Sequence, residues 1–165
     1  MPPTSFGKQL VAIHQYQIGK GFVGAAYLQR SHLQKRQINH EPFDYVVLHL
    51  FAQGIEAILK GLLLLLDFDK YKSDLPKRKK FGHNLEALAE ELRAATDQNQ
   101  LSVELAAELS LLNELFASHL LRYSSAVSLL NGPNLISIKR LEKRVAALIR
   151  LVDFEISKLN VETIW

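Results

Sequence analysis

Residues 45–66 read YVVLHLFAQGIEAILKGLLLLL, a stretch that is apolar on almost every side of a helix yet carries His49, Gln53, Glu56 and Lys60. At about 100° per residue these four side chains fall within about 60° of one another, one narrow polar stripe down a greasy cylinder. A helix this apolar has to be surrounded by other elements, and a polar stripe inside such surroundings needs hydrogen-bonding partners. The stretch therefore predicts a buried core helix whose polar edge points into a shared groove or an interface. It is also long enough to raise a bilayer crossing, but a histidine, a glutamate and a lysine in its middle make insertion costly. No membrane partner is expected.

Outward from this stretch, every other periodic segment is helical too. Residues 9–33 place Leu10, Ile13, Phe22, Ala25, Ala26 and Leu28 at three- and four-residue steps, with Gly19, Gly21 and Gly24 predicting a kink or break in the middle. Pro42 suits the first turn of the second helix, which runs to about residue 68. Residues 67–82 hold charges, Pro76 and Gly82 and read as the longest loop. Asn84 is a cap for a third helix over 85–95, where Leu85, Leu88 and Leu92 form one stripe. A fourth is expected from Ser102 to about residue 129, stopped by Asn131-Gly132-Pro133-Asn134. A fifth covers 135–159, with Leu141, Val145, Leu148, Val152 and Ile156 in helical period. No run alternates with period two for long enough to argue a strand, so the expected class is all-α, a single bundle of about five helices over residues 1–165.

A chain of 165 residues is large enough to bury about 70% of its unfolded surface without staples. It contains no cysteine, which removes thiol catalysis and cysteine-ligated zinc and fits a reducing cytoplasm. The N-terminal residues lack the apolar core and cleavage site of a secretory signal, so a cytoplasmic location is expected. Net charge is +3, mild overall, but six of the 20 Lys and Arg fall between positions 70 and 80, opposed there only by Asp74. Lys77, Arg78, Lys79 and Lys80 are the densest part of this basic patch. Its alternatives are a phosphate-binding surface or a solvated loop. No histidine pair has the spacing of a helical metal site, and there is no Walker loop, dinucleotide fingerprint or nucleophile elbow, so no metal and no cofactor are expected.

Three pieces carry chemistry together: residues 56–63 (EAILKGLL), 81–88 (FGHNLEAL) and 112–123 (LNELFASHLLRY). An apolar helix with an E-x-x-L-K element, then G-H-x-L, then a helix ending in Arg-Tyr, resembles the HEPN family (higher eukaryotes and prokaryotes nucleotide-binding), over about residues 44–122. The resemblance implies a helical bundle, homodimers, a nucleotidyltransferase partner, and a place in toxin–antitoxin or RNA-defence systems. It also implies a groove in which Arg122 holds a phosphate and Tyr123, Glu56, Lys60, His83, His49 and Gln53 line the ligand.

The ribonucleases of that family follow the arginine with a histidine after four to six intervening residues. Here positions five to seven after Arg122 are Val127, Ser128 and Leu129, and no histidine follows His119. The usual group for protonating a leaving oxygen is missing. His119 lies three residues before Arg122 and shares its helical face, which makes it the substitute to consider beside its plain reading as an interface histidine.

Glu56 and Lys60 are spaced for an ordinary i, i+4 helix salt bridge. Packed on a narrow stripe between leucines, Glu56 wants a further cation or donor, and Arg122 or His83 are the candidates, Arg122 being the pairing expected here. His83 precedes the Asn84 cap, where unfilled backbone N–H groups would favour an anion. Three functions stay open at this level. The first is a non-catalytic HEPN-like module that binds RNA, a nucleotide or a protein partner. The second is a metal-independent ribonuclease with an atypical histidine, and the third a structural dimerisation domain.

Overall fold

The computed structural model describes residues 5–36, 41–76, 81–96, 103–117 and 136–158. Among them are six helices and no strand: α1 (Ser5–Arg36), α2 (Glu41–Leu66), α3 (Phe68–Asp74), α4 (Leu85–Thr96), α5 (Val103–Ala117) and α6 (Ile138–Ser157). The protein is an all-α helical bundle. Helix α2 is its axis and packs against all five of the others. Val47, Leu48, Phe51, Ala52, Ile55, Ile58, Leu59, Leu62 and Leu63 are almost wholly buried, which is why this helix tolerates so few polar residues. Asp44–Leu66 is long and apolar enough to cross a membrane by length and composition, and 67% of its most apolar window is buried inside the fold.

The glycines of α1 do not break it. The helix runs unbroken for 32 residues, and Gly19 is its point of closest approach to α2. A Cβ there would stand 2.7 Å from the Gly54 carbonyl oxygen and 2.8 Å from the Ile58 nitrogen. A Cβ on Gly61 would lie 2.9 Å from the backbone nitrogen of Tyr16. The helices run antiparallel, so Tyr16 meets Gly61 and Tyr27 stacks edge-on with Phe51 at 5.4 Å. Local propensity argues for a kink; tertiary contact overrides it, because backbone-to-backbone packing needs positions without a side chain.

The expected loop over 67–82 contains a short helix instead. Asp67 caps it, its Oδ1 accepting from the Lys70 N–H at 3.0 Å, and Tyr71 anchors it in the core. The Tyr71 hydroxyl donates to Glu91 on α4 at 2.9 Å while Lys70 donates to both, and burial raises the phenol pKa above its usual value. Asp69 pairs with Lys72 at 2.7 Å and with Lys8 of α1.

Helices α4 and α6 follow their leucine and valine stripes. Leu85, Leu88 and Leu92 are buried, as are Leu141, Val145, Leu148 and Val152, with Ile156 partly so. Helix α6 starts three residues later than its apolar pattern suggests, because Ser137 caps it. Across the bundle Tyr16 donates to Asp153 at 2.6 Å, and its hydroxyl pKa is raised by burial and by that carboxylate. Tyr27 donates to the Glu142 carbonyl at 3.1 Å, and Arg30 pairs with the Glu142 carboxylate.

Candidate functional site

The polar stripe of α2 faces inward. His49, Gln53, Glu56 and Lys60 are all half-buried, and the Glu56 and Lys60 side chains are only 12% and 18% exposed. Successive turns of one helix carry them, so their spacing along the groove is set by the helix itself. Lys60 Nζ donates to Glu56 Oε1 at 2.5 Å, and the second carboxylate oxygen, Oε2, lies 3.0 Å from His83 Nδ1. One turn toward the N-terminus the Gln53 amide donates to His49 Nε2 at 3.0 Å.

His83 comes to Glu56 from the turn between residue 81 and α4, and its backbone is left-handed, φ 55°, a conformation that costs a side-chain-bearing residue about 1 kcal/mol or more. The surroundings hold it there. Phe81 is buried just before it, and Asn84 just after caps α4, accepting from the Ala87 N–H at 3.0 Å. Helix α5 supplies the rest. Buried Asn113 accepts from the Leu85 N–H at 2.7 Å and donates to Glu86 at 3.1 Å, so two asparagines fill the start of α4. One turn further along α5, buried Phe116 sits edge-on to the His83 ring at 5.2 Å and tilted to His49 at 5.8 Å.

Among the described residues Glu56 pairs with Lys60 and His83; the pairing expected between Glu56 and Arg122 lies outside them. Arg122, His119 and Tyr123 lie outside the described residues, as do Lys77, Arg78, Lys79 and Lys80. At the start of α4, where an anion site is expected, the N–H groups of Leu85 and Ala87 donate to side-chain oxygens. The site is a His–Glu–Lys cluster beside an aromatic wall.

Asn113 and Phe116 were not singled out individually by the sequence, though both lie in the 112–123 piece. Their spacing of three puts them on one helical face, the only signal available from the chain alone. Among the described residues no three His, Asp or Glu side chains come together as a metal site. A separate pocket of about 100 Å³ opens between α4 and α5, lined by Glu86, Ala89, Glu90, Arg93, Ala106 and Leu109, and holds none of the stripe residues.

Chemically the cluster has one clear polarity. Ionised, Glu56 accepts hydrogen bonds and donates none, so His83 presents an N–H at Nδ1 and, when neutral, keeps its lone pair on Nε2. The His83 side chain is 40% exposed. No family model matches this chain, and no curated protein or solved structure matches it either.

Proposed function

We propose that this chain is a HEPN-like helical module that binds RNA or a nucleotide in the groove where the polar stripe of α2 meets His83. The observation that carries the reading is the convergence of Glu56, Lys60 and His83. A half-buried carboxylate bridges a lysine of its own helix and a histidine held in left-handed backbone, beside the Phe116 ring. A stripe serving only to solubilise the helix would face water; this one is directed into the bundle.

In this reading Arg122 supplies the phosphate contact that the family resemblance implies, with Tyr123 beside it. Lys60 and His83 add donors for the sugar and phosphate, and the basic stretch 77–80 extends the path of a longer strand. The family's cleavage step through an arginine and a following histidine is not part of the proposal, because the second residue is missing from the sequence. By the same resemblance the module works as a homodimer in the cytoplasm, with a nucleotidyltransferase as candidate partner.

Calorimetric titration with a short single-stranded RNA and with adenosine and uridine nucleotides, at 50 and 200 mM salt, tests the reading. The expected result is saturable binding that weakens as salt rises and falls about tenfold or more in Arg122→Ala. Absence of binding to every nucleotide and RNA tried would contradict it and turn attention to a protein partner.

A further inference from the structure

We propose that α1 and α6 together form a face that docks on the surface of an anionic phospholipid bilayer, independently of the polar stripe of α2.

The apolar part of the face is α1. Its side toward the core is buried through Ala12, Tyr16, Gly19, Val23 and Ala26, while its opposite side exposes Leu10, Val11, Ile18 and Leu28, each by more than two-fifths and Leu28 by 74%. These positions span about 27 Å of helix. Between them Gly21 and Ala25 are exposed, and a Cβ on Gly21 would meet nothing within 4 Å, so no other element covers the ridge there. His14, Gln17 and His32 share this side and add no negative charge. Single exposed leucines need no partner, but a row of apolar side chains along one outer side of a helix marks a contact surface.

Charge selects what covers it. The 32 residues of α1 include Lys8, Lys20, Arg30, Lys35 and Arg36 but no Asp or Glu. Helix α6 lies alongside and antiparallel, since Tyr16 bonds to Asp153 and Tyr27 to the Glu142 carbonyl. The acidic residues of α6 are occupied: Glu142 by Arg30, Asp153 by Tyr16 and Lys20, and Glu155 by Lys158. On the side of α6 opposite its buried row from Leu141 to Val152, Lys139, Lys143, Arg150 and Phe154 fall within about 60° of one another. All four are exposed, and the three cations make no ion pair among the described residues.

The face thus joins apolar side chains to an excess of positive charge. An anionic headgroup layer over acyl chains accepts both: leucine and isoleucine enter below the headgroups while lysine and arginine stay among the phosphates. A second copy would set one acid-free helix on another, cation toward cation. A nucleic acid would satisfy the cations but lay phosphates on leucine and isoleucine. The cost of threading α2 through a bilayer, which argues against a spanning chain, does not arise at the surface, where no helix leaves the bundle.

Co-sedimentation of the full chain with extruded vesicles tests the proposal, comparing phosphatidylcholine alone with phosphatidylcholine carrying about 30 mol% phosphatidylserine, at about 50 and about 300 mM salt. Binding to the phosphatidylserine vesicles is expected to be about tenfold tighter or more than to phosphatidylcholine alone, and to weaken at the higher salt. Combining Lys139→Gln, Lys143→Gln and Arg150→Gln is expected to weaken it about a hundredfold, about fivefold per cation. Leu28→Ser changes a side chain that the core does not use; it is expected to weaken binding about tenfold and leave the urea midpoint unchanged. Because the chain has no cysteine, a dye attached to Leu28→Cys reports the contact directly. Its emission is expected to shift to the blue on phosphatidylserine vesicles, while the same dye on Ala94→Cys, exposed on α4, stays unchanged.

Absence of binding to phosphatidylserine vesicles at the lower salt would overturn the proposal. So would binding that both sets of substitutions leave unchanged, or a blue shift at position 94 without one at position 28. Sedimentation velocity without vesicles that shows a dimer lost in Leu28→Ser would assign the face to a second copy and overturn it as well.

Discussion

Toward α1, helix α2 presents Gly54 and Gly61, and the two backbones meet with almost nothing between them. About 120° around the same cylinder it presents His49, Gln53, Glu56 and Lys60 to the side where α4, α5 and the His83 turn close over it. The first face is stabilised by dispersion at short range and tolerates no added atoms. The second is stabilised by the hydrogen bonds that join Gln53 to His49 and Glu56 to Lys60 and His83. A single helix thus serves as the packed wall of the bundle on one face and carries its polar stripe on another.

The sharpest way to break this comparison is to add one carbon to the packed face. Gly19→Ala puts a Cβ into backbone atoms of α2, which cannot rotate away, and is expected to destabilise the protein by about 2–3 kcal/mol in urea unfolding. Removing a partner on the polar face comes next. Glu56→Ala leaves Lys60 and His83 without their shared acceptor and is expected to cost about 2 kcal/mol by the same measurement. Asn113→Ala uncovers the Leu85 N–H at the start of α4 and is expected to cost about 1–2 kcal/mol, with faster amide exchange at Leu85.

Gly21 and Gly24 sharpen the comparison from the other side. A Cβ at either would meet nothing within 4 Å, so Gly21→Ala and Gly24→Ala are each expected to stabilise by about 0.5–1 kcal/mol. Identical chemistry at Gly19 and Gly21 should therefore carry opposite signs.

The smallest effect is a pH dependence at the edge of the bundle. The Asp69 carboxyl pKa is held down to about 2 by hydrogen bonds from Lys72 first and Lys8 second. A depressed carboxyl contributes stability that is present above its unfolded value near 4 and is lost as pH falls through about 2. An NMR titration of the Asp69 carboxyl carbon is expected to show that low midpoint, and Lys72→Met to raise it.

These same contrasts explain what could be read from the chain. The all-α class followed from residues 45–66 and from the stripes Leu85-Leu88-Leu92 and Leu141-Val145-Leu148-Val152, because burial on one face imposes a helical period on the sequence. The unbroken course of α1 did not, since glycine in a helix reads as weakness until the partner that needs its absence of a side chain is in view. Helix α3 was hidden for a related reason. A helix of seven residues has little pattern to show, and what holds it is Tyr71 in the core and the reach of its hydroxyl to Glu91.

At the site, the stripe and its inward direction were legible because four polar residues on a leucine-rich cylinder leave few other arrangements. His83 was among the named partners of Glu56. The left-handed backbone that presents it, and the capping of α4 by Asn113 from another helix, depend on contacts 27 and 28 positions apart in the chain and left no local mark.

The central claim is that ligand enters at the polar face of α2 and not elsewhere on the bundle. A two-dimensional NMR titration of isotope-labelled protein with a short single-stranded RNA tests it most directly. The account predicts shifts in the His83 imidazole, the Lys60 ammonium side chain and the Phe116 ring, with Tyr16, Val23 and Gly54 on the packed face unmoved. Shifts confined to the packed face or to the pocket around Arg93, with the His83 ring unchanged at saturation, would contradict it.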